Sequence, residues 1–114
     1  MRLETRKLLY DVEQAAALVE GFTHGRGLAE YREDAMLRSA VERQFEIIGE
    51  ALNRLAHSDP ATAERITEHR RIIAFRNVLI HGYDLVDHAL VWSTIQSQIP
   101  ILLRDVEALL ASKS

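Results

Sequence analysis

The sequence predicts an all-α fold, an antiparallel bundle of four main helices. Three observations carry that expectation. Glycine (5) and proline (2) are scarce in a chain of 114 residues, so helix interiors meet few breakers. Apolar residues recur at three- and four-residue steps along most of the chain. Alternating β-branched runs, the mark of half-buried strands, are missing. The length suits one domain over 1–114, since domains mostly run to ~100–200 residues. Hydrophobic residues make up 47% and charged residues 27%, a composition that buries a core rather than staying disordered.

The elements follow in order. Leu8, Val12, Ala15, Ala16 and Val19 form the stripe of a first helix from Arg2 to Glu20. Gly21, Gly25 and Gly27 then favour a loop, with a brief turn over Leu28–Arg32. A second helix is expected from Asp34, as N-cap, to His57. Its apolar surface is wide: Leu37, Val41, Ile48, Leu52 and Leu55 make one stripe, with Ala40, Ile47 and Ala51 beside it and Phe45 close by. That width suits the central helix of a bundle, or one that is also buried in a dimer interface. Gly49 in its middle costs roughly 1 kcal/mol against alanine, which makes sense if another backbone passes there. Ser58-Asp59-Pro60 breaks the chain and starts a short helix with proline near its first position. A further helix is predicted over His69–His81, stopped by Gly82. The last is predicted over Val86–Leu110, with Asp84 and Asp87 as N-terminal anions and a kink at Pro100.

Composition narrows the function. With no cysteine there is no disulfide scaffold, thiolate metal site or cysteine nucleophile. A net charge of −3 argues against coating nucleic acid through bulk charge, but leaves room for a small basic site. The charged N-terminal stretch Met1–Lys7 leads into no apolar run, and nothing approaches the ~20 apolar residues that span a bilayer. The expected setting is the cytoplasm, without membrane attachment. His24, His57, His69 and His88 form no ligand-spaced set; they are expected at the surface, with no structural metal and no cofactor.

The chemistry concentrates in Arg76-Asn77-Val78-Leu79-Ile80-His81-Gly82-Tyr83, where polar groups bunch at the end of an apolar helix. Asn77 and His81, four apart, share a face. Arg76 lies one step round. Gly82 permits a left-handed turn that aims Tyr83 back toward the imidazole. Such a group suits phosphodiester chemistry: arginine binds phosphate and stabilises transition-state charge, and histidine moves protons. RNA carries its own nucleophile, the 2′-OH. The helix C-terminus favours protonated His81, whereas the neighbouring arginine opposes it, and the sequence does not choose between them. A plain structural alternative stands beside this: Arg76 pairs with a carboxylate such as Glu50, His81 caps the helix and Tyr83 packs at a corner. Glu50 itself is either a solvated edge residue or a partner orienting Arg76 or His81. Arg70 and Arg71 are expected to be solvated, with a possible role in tracking RNA, and Trp92 is expected in the core or an interface.

The segment resembles the R-x4-H-x-Y signature of HEPN-domain toxins of the HepT (DUF86) type. Ala40-Val41-Glu42-Arg43 and Ile47-Ile48-Gly49-Glu50-Ala51 resemble that family's second helix, and Val91-Trp92 with Ile99-Pro100 resembles its last. The resemblance covers roughly the whole chain. It implies a homodimeric four-to-five-helix HEPN bundle in which two motif copies form one composite cleft. It implies a metal-independent endoribonuclease, the toxin partner of an MntA-like minimal nucleotidyltransferase antitoxin that adds AMP to the motif tyrosine. Carried over, Arg76 and His81 are catalytic, Asn77 and Glu50 support them, and Tyr83 is the modification site. The competing expectation is a non-catalytic substrate-binding or regulatory subunit of a nucleotidyltransferase.

Overall fold

Six α-helices form in the computed structural model, which describes residues 1–112: α1 (Leu3–Thr23), α2 (Leu28–Glu33), α3 (Ala35–Ser58), α4 (Pro60–Ala63), α5 (His69–His81) and α6 (His88–Ala111). A single 3-10 turn, Tyr83–Leu85, joins the last two. The described residues contain no strand.

The helix ends follow from local chemistry. α1 runs three residues past the expected stop, through Gly21 to Thr23. There the Thr23 hydroxyl is buried and donates to the Val19 carbonyl at 2.8 Å. The break falls instead at Gly25, whose φ of 73° is left-handed. Asp34 caps α3, its carboxylate accepting from the Leu37 N–H at 3.0 Å. Asp59 caps α4, with Pro60 at its first position, and accepts from the Thr5 hydroxyl at 2.9 Å, which ties the start of α1 to the end of α3. The Thr62 hydroxyl foremost, together with Thr5, holds the Asp59 carboxyl below its ordinary value. α6 starts later than expected, so Asp87 alone caps it, accepting from Ala89 and Leu90 N–H groups. Asp84 lies in the 3-10 turn. α6 continues through Pro100 without a break.

Packing is antiparallel. α1 lies between α3 and α6, and α5 packs on α3. Opposite ends meet across the two α1 pairs: Thr5 touches Asp59 at the end of α3, and Arg6 donates to the carbonyl of Leu110 at the end of α6. α3 is the central helix. Leu37, Val41, Phe45, Ile48, Ala51, Leu52 and Leu55 are all buried within this single chain. These side chains of the wide stripe are therefore consumed by the bundle, while Ala40 and Ile47 of the same apolar surface stay only partly covered. Of the exposed apolar side chains, Met36 lies at the start of α3, and Val78, Tyr83, Leu85 and Leu90 group around the end of α5 and the start of α6.

Two histidines depart from the surface expectation. His69 is buried at the first position of α5, beside Ala56 and Ile73. His88 stands edge-on to buried Tyr31, with ring centroids 6.3 Å apart. Trp92, one turn further along α6, also packs on Tyr31, with ring centroids 5.5 Å apart, and is partly buried against the core. Burial pushes the Tyr31 phenol well above its ordinary value, and its hydroxyl has no hydrogen-bond partner among the described residues. No described helix is long and apolar enough to cross a membrane.

Candidate functional site

The site begins with a missing side chain. α5 packs directly against α3 where Gly49 faces Arg76. A Cβ placed on Gly49 would overlap the Cβ of Arg76 and lie 2.5 Å from its Cγ. The notch in α3 therefore holds an arginine stem, where a passing backbone was expected. Once seated, the stem delivers its guanidinium to the neighbouring residue: Arg76 Nη2 donates to Glu50 Oε2 at 2.8 Å. On the other side Arg76 Nη1 donates to Asn77 Oδ1 at 3.0 Å. The head group is thus held from two directions, and its Nε lies buried without a partner among the described residues.

Glu50 has a second cation. Its other oxygen accepts from Arg54 Nε at 3.0 Å. The two pairs differ in environment. Arg76 is 23% exposed, while Arg54 is 67% exposed. The Arg54 pair is an ordinary i,i+4 surface contact, worth only ~0.3–0.5 kcal/mol. The Arg76 contact joins two helices and is partly shielded from water, so it is the pair that fixes geometry. Both expectations for Glu50 hold in part: it sits at the solvent edge and it orients Arg76.

His81 and Tyr83 stand apart from this cluster. His81 is exposed as the last residue of α5. Five positions on an α-helix turn through about 140° net, so Arg76 and His81 leave α5 in different directions. Tyr83 is 79% exposed. Neither side chain has a hydrogen bond or ion pair among the described residues, so His81 does not cap the helix and Tyr83 does not pack at a corner. Gly82 closes α5 with an N–H to Val78 carbonyl bond at 2.8 Å, at φ −114°, outside the left-handed region. Its constraint is room, since a Cβ there would lie 3.0 Å from the Val78 oxygen.

Two grooves flank α5. One, of about 280 Å³, runs between α1, α3 and α5; Ile47, Ala51 and Ile80 line it, with Arg43, Arg54 and Arg76 around them. The other, of about 340 Å³, separates α5 from α6, with Phe75, Val78 and Leu90 in its wall. Arg70 and Arg71 point outward and pair with Glu64 and Glu68. Among the described residues no three His, Asp or Glu side chains converge as metal ligands. Arg54 escaped the sequence reading, although its i,i+4 spacing from Glu50 was visible there.

Comparison with known proteins is consistent along the chain. The family described as Ribonuclease HepT-like matches residues 12–109. A Methanocaldococcus jannaschii protein named a "putative RNase" is 32% identical over 91% of this chain and 94% of its own length. A Thermococcus cleftensis protein named "Probable ribonuclease HepT" is 31% identical over 96% of this chain and 98% of its own. A Caldanaerobacter subterraneus protein, also named a "putative RNase", is 31% identical over 75% and 76%. No solved structure matches the chain.

The notch gives a directional test. Gly21 lies inside α1 with open space around its Cα, whereas Gly49 faces Arg76. Gly21→Ala should raise stability by up to ~1 kcal/mol through helix propensity. Gly49→Ala gains the same term but clashes with the Arg76 Cβ, which moves only with its backbone, so α5 must shift away from α3 at about 1–3 kcal/mol and the variant should be destabilised. Urea midpoints of the two variants should move in opposite directions. A stabilised Gly49→Ala would contradict the close approach.

Proposed function

Because this chain belongs to the HepT-like ribonuclease family, we propose that it is a metal-independent endoribonuclease acting as the toxin of a toxin–antitoxin pair. The observation that carries the reading is the Arg76 guanidinium, seated on Gly49 and held by Glu50 and Asn77 at the edge of an open groove. An arginine fixed before substrate arrives needs little reorganisation when phosphate charge develops.

The reaction needs few protein groups. The RNA 2′-oxygen attacks the adjacent phosphorus, giving its proton to the His81 imidazole. The new P–O2′ bond forms as the P–O5′ bond breaks, and the leaving 5′-oxygen takes a proton from an imidazolium. Arg76 balances the charge on the non-bridging oxygens. One chain sends Arg76 and His81 in different directions, so a cleft built from two motif copies suits this chemistry better. The exposed apolar groove between α5 and α6 is the surface on which a second copy would pack.

Control would fall on Tyr83. Its exposed phenol is open to a nucleotidyltransferase partner. The phenolic oxygen would bond to the α-phosphorus of ATP as pyrophosphate leaves, placing a bulky anion two residues from His81, at the mouth of the composite cleft.

Arg76→Ala and His81→Ala should each slow RNA cleavage by about 10²-fold or more while the circular dichroism stays helical. Cleavage should persist in EDTA, leave 2′,3′-cyclic phosphate ends and track a species of twice the chain mass by light scattering. A strict Mg²⁺ requirement, or full activity in a monomer, would overturn the mechanism. An inert wild type would favour the non-catalytic subunit instead. Co-expression with an adjacently encoded nucleotidyltransferase should raise the intact mass by whole adenylate units that map to Tyr83 and are missing in Tyr83→Phe. An adduct on another residue would remove Tyr83 from the account.

A further inference from the structure

The groove between α1, α3 and α5 carries two more arginines that the family reading leaves unassigned. Arg43, Ile47, Glu50 and Arg54 follow one another along one side of α3 at helical spacing. Arg43 and Arg54 stand at its two ends, separated along the helix by roughly 16 Å at 1.5 Å per residue. Between them lie the apolar Ile47 and Ala51 with the carboxylates of Glu46 and Glu50, and across from them Ile80 and Arg76 of α5 and Asp11 of α1; each carboxylate already has a cation, Glu46 with Arg43, Glu50 with Arg54 and Arg76, and Asp11 with Lys7. A strip with cations at its ends and an apolar floor offers single-stranded nucleic acid places for both phosphates and bases.

Arg54 is the better placed of the two. It shares the Glu50 carboxylate with Arg76, so two guanidinium groups converge on one anion from different helices. The contact on the Arg54 side is an exposed surface pair, readily released, and its side chain is 67% exposed. Arg43 is similarly free, 68% exposed with Glu46 at 3.7 Å. A phosphate reaching Arg76 therefore lies beside a second, exposed guanidinium whose one ion pair is a weak surface contact.

We propose that Arg54 is a substrate-binding residue that contacts an RNA phosphate neighbouring the one held at Arg76, so that single-stranded RNA enters the site along the α1–α3–α5 groove. This rests on the ribonuclease reading and deepens it, because it assigns the route by which substrate reaches the motif. Arg54 contributes to affinity through charge and leaves the chemical step to Arg76 and His81. An alternative role would be indirect, with Arg54 merely restraining Glu50 and through it Arg76. The two differ in salt dependence, since only a direct phosphate contact releases counterions.

The test measures binding of a short fluorescein-labelled single-stranded RNA of mixed sequence by anisotropy over a salt series. It is run in the His81→Ala background so that cleavage does not interfere. Adding Arg54→Ala should weaken binding about fivefold at 0.1 M salt and reduce the slope of log K against log salt by about 0.7. Arg54→Lys should restore most of that slope, while Arg104→Ala, which removes an exposed charge of α6, should leave it unchanged. In the otherwise wild-type chain, Arg54→Ala should raise KM more than it lowers kcat. An unchanged salt slope, or a kcat loss at constant KM, would assign Arg54 to positioning through Glu50 and overturn the proposal. Binding with the expected slope but no cleavage by wild type would overturn the ribonuclease reading and leave the groove assignment standing. Absence of RNA binding would overturn both.

Discussion

One steric allowance underlies the site: α3 lacks a side chain where α5 crosses it. Gly49 accepts the Arg76 stem, and the next residue of α3, Glu50, then meets the guanidinium at 2.8 Å. Two adjacent residues thus set both the approach of the helices and the aim of the Arg76 guanidinium. The helix pays a propensity cost of roughly 1 kcal/mol for that glycine. In return the position of Arg76 is fixed by the same packing that fixes the fold, so the site cannot drift independently of the bundle.

That coupling explains the division of labour along α5. Its inward residues, Ile72 and Leu79, anchor it to the core. Arg76 sits at the margin, half-sheltered and restrained. His81 and Tyr83, beyond the anchored stretch, are exposed and unrestrained by hydrogen bonds among the described residues. On the proposed function, this contrast suits the parts assigned to them, since charge stabilisation asks for a preorganised group, whereas proton transfer and covalent modification ask for access. The acidic partner of Arg76 serves the same end. Glu50 at the groove edge balances a cation that would otherwise sit partly desolvated, and it remains exposed enough to share itself with Arg54.

Much of this was legible in the residues. Helix positions followed apolar spacing, and Asp34 caps α3 as its place before the apolar stripe predicted; Asp59 and Asp87, read only as part of a chain break and as an N-terminal anion, prove to be caps as well. α5 matched because Gly82 and the apolar step pattern bound it on one side and His69 begins it on the other. The reading failed where the deciding contact was tertiary. Gly49 announced a close approach but not the identity of what approached. The stripe on α3 did not reveal that α1 and α5 cover it. His69 and His88 carry no sequence mark distinguishing a buried imidazole from a solvated one. The expected convergence of four motif side chains assumed a left-handed Gly82, and the backbone instead continues into a 3-10 turn that leaves Tyr83 outside.

The central claim is that Arg76 acts as a fixed fork and not only as a charge. Arg76→Lys separates the two. Lysine keeps the positive charge and much of the apolar stem on Gly49, but a single ammonium cannot serve Glu50, Asn77 and a phosphate oxygen in one plane. The rate of single-turnover RNA cleavage by Arg76→Lys is therefore the most direct measurement. A rate within about tenfold of Arg76→Ala is the expected result. A rate close to wild type would show that charge alone suffices and that the Gly49–Glu50–Asn77 cradle has no part in catalysis.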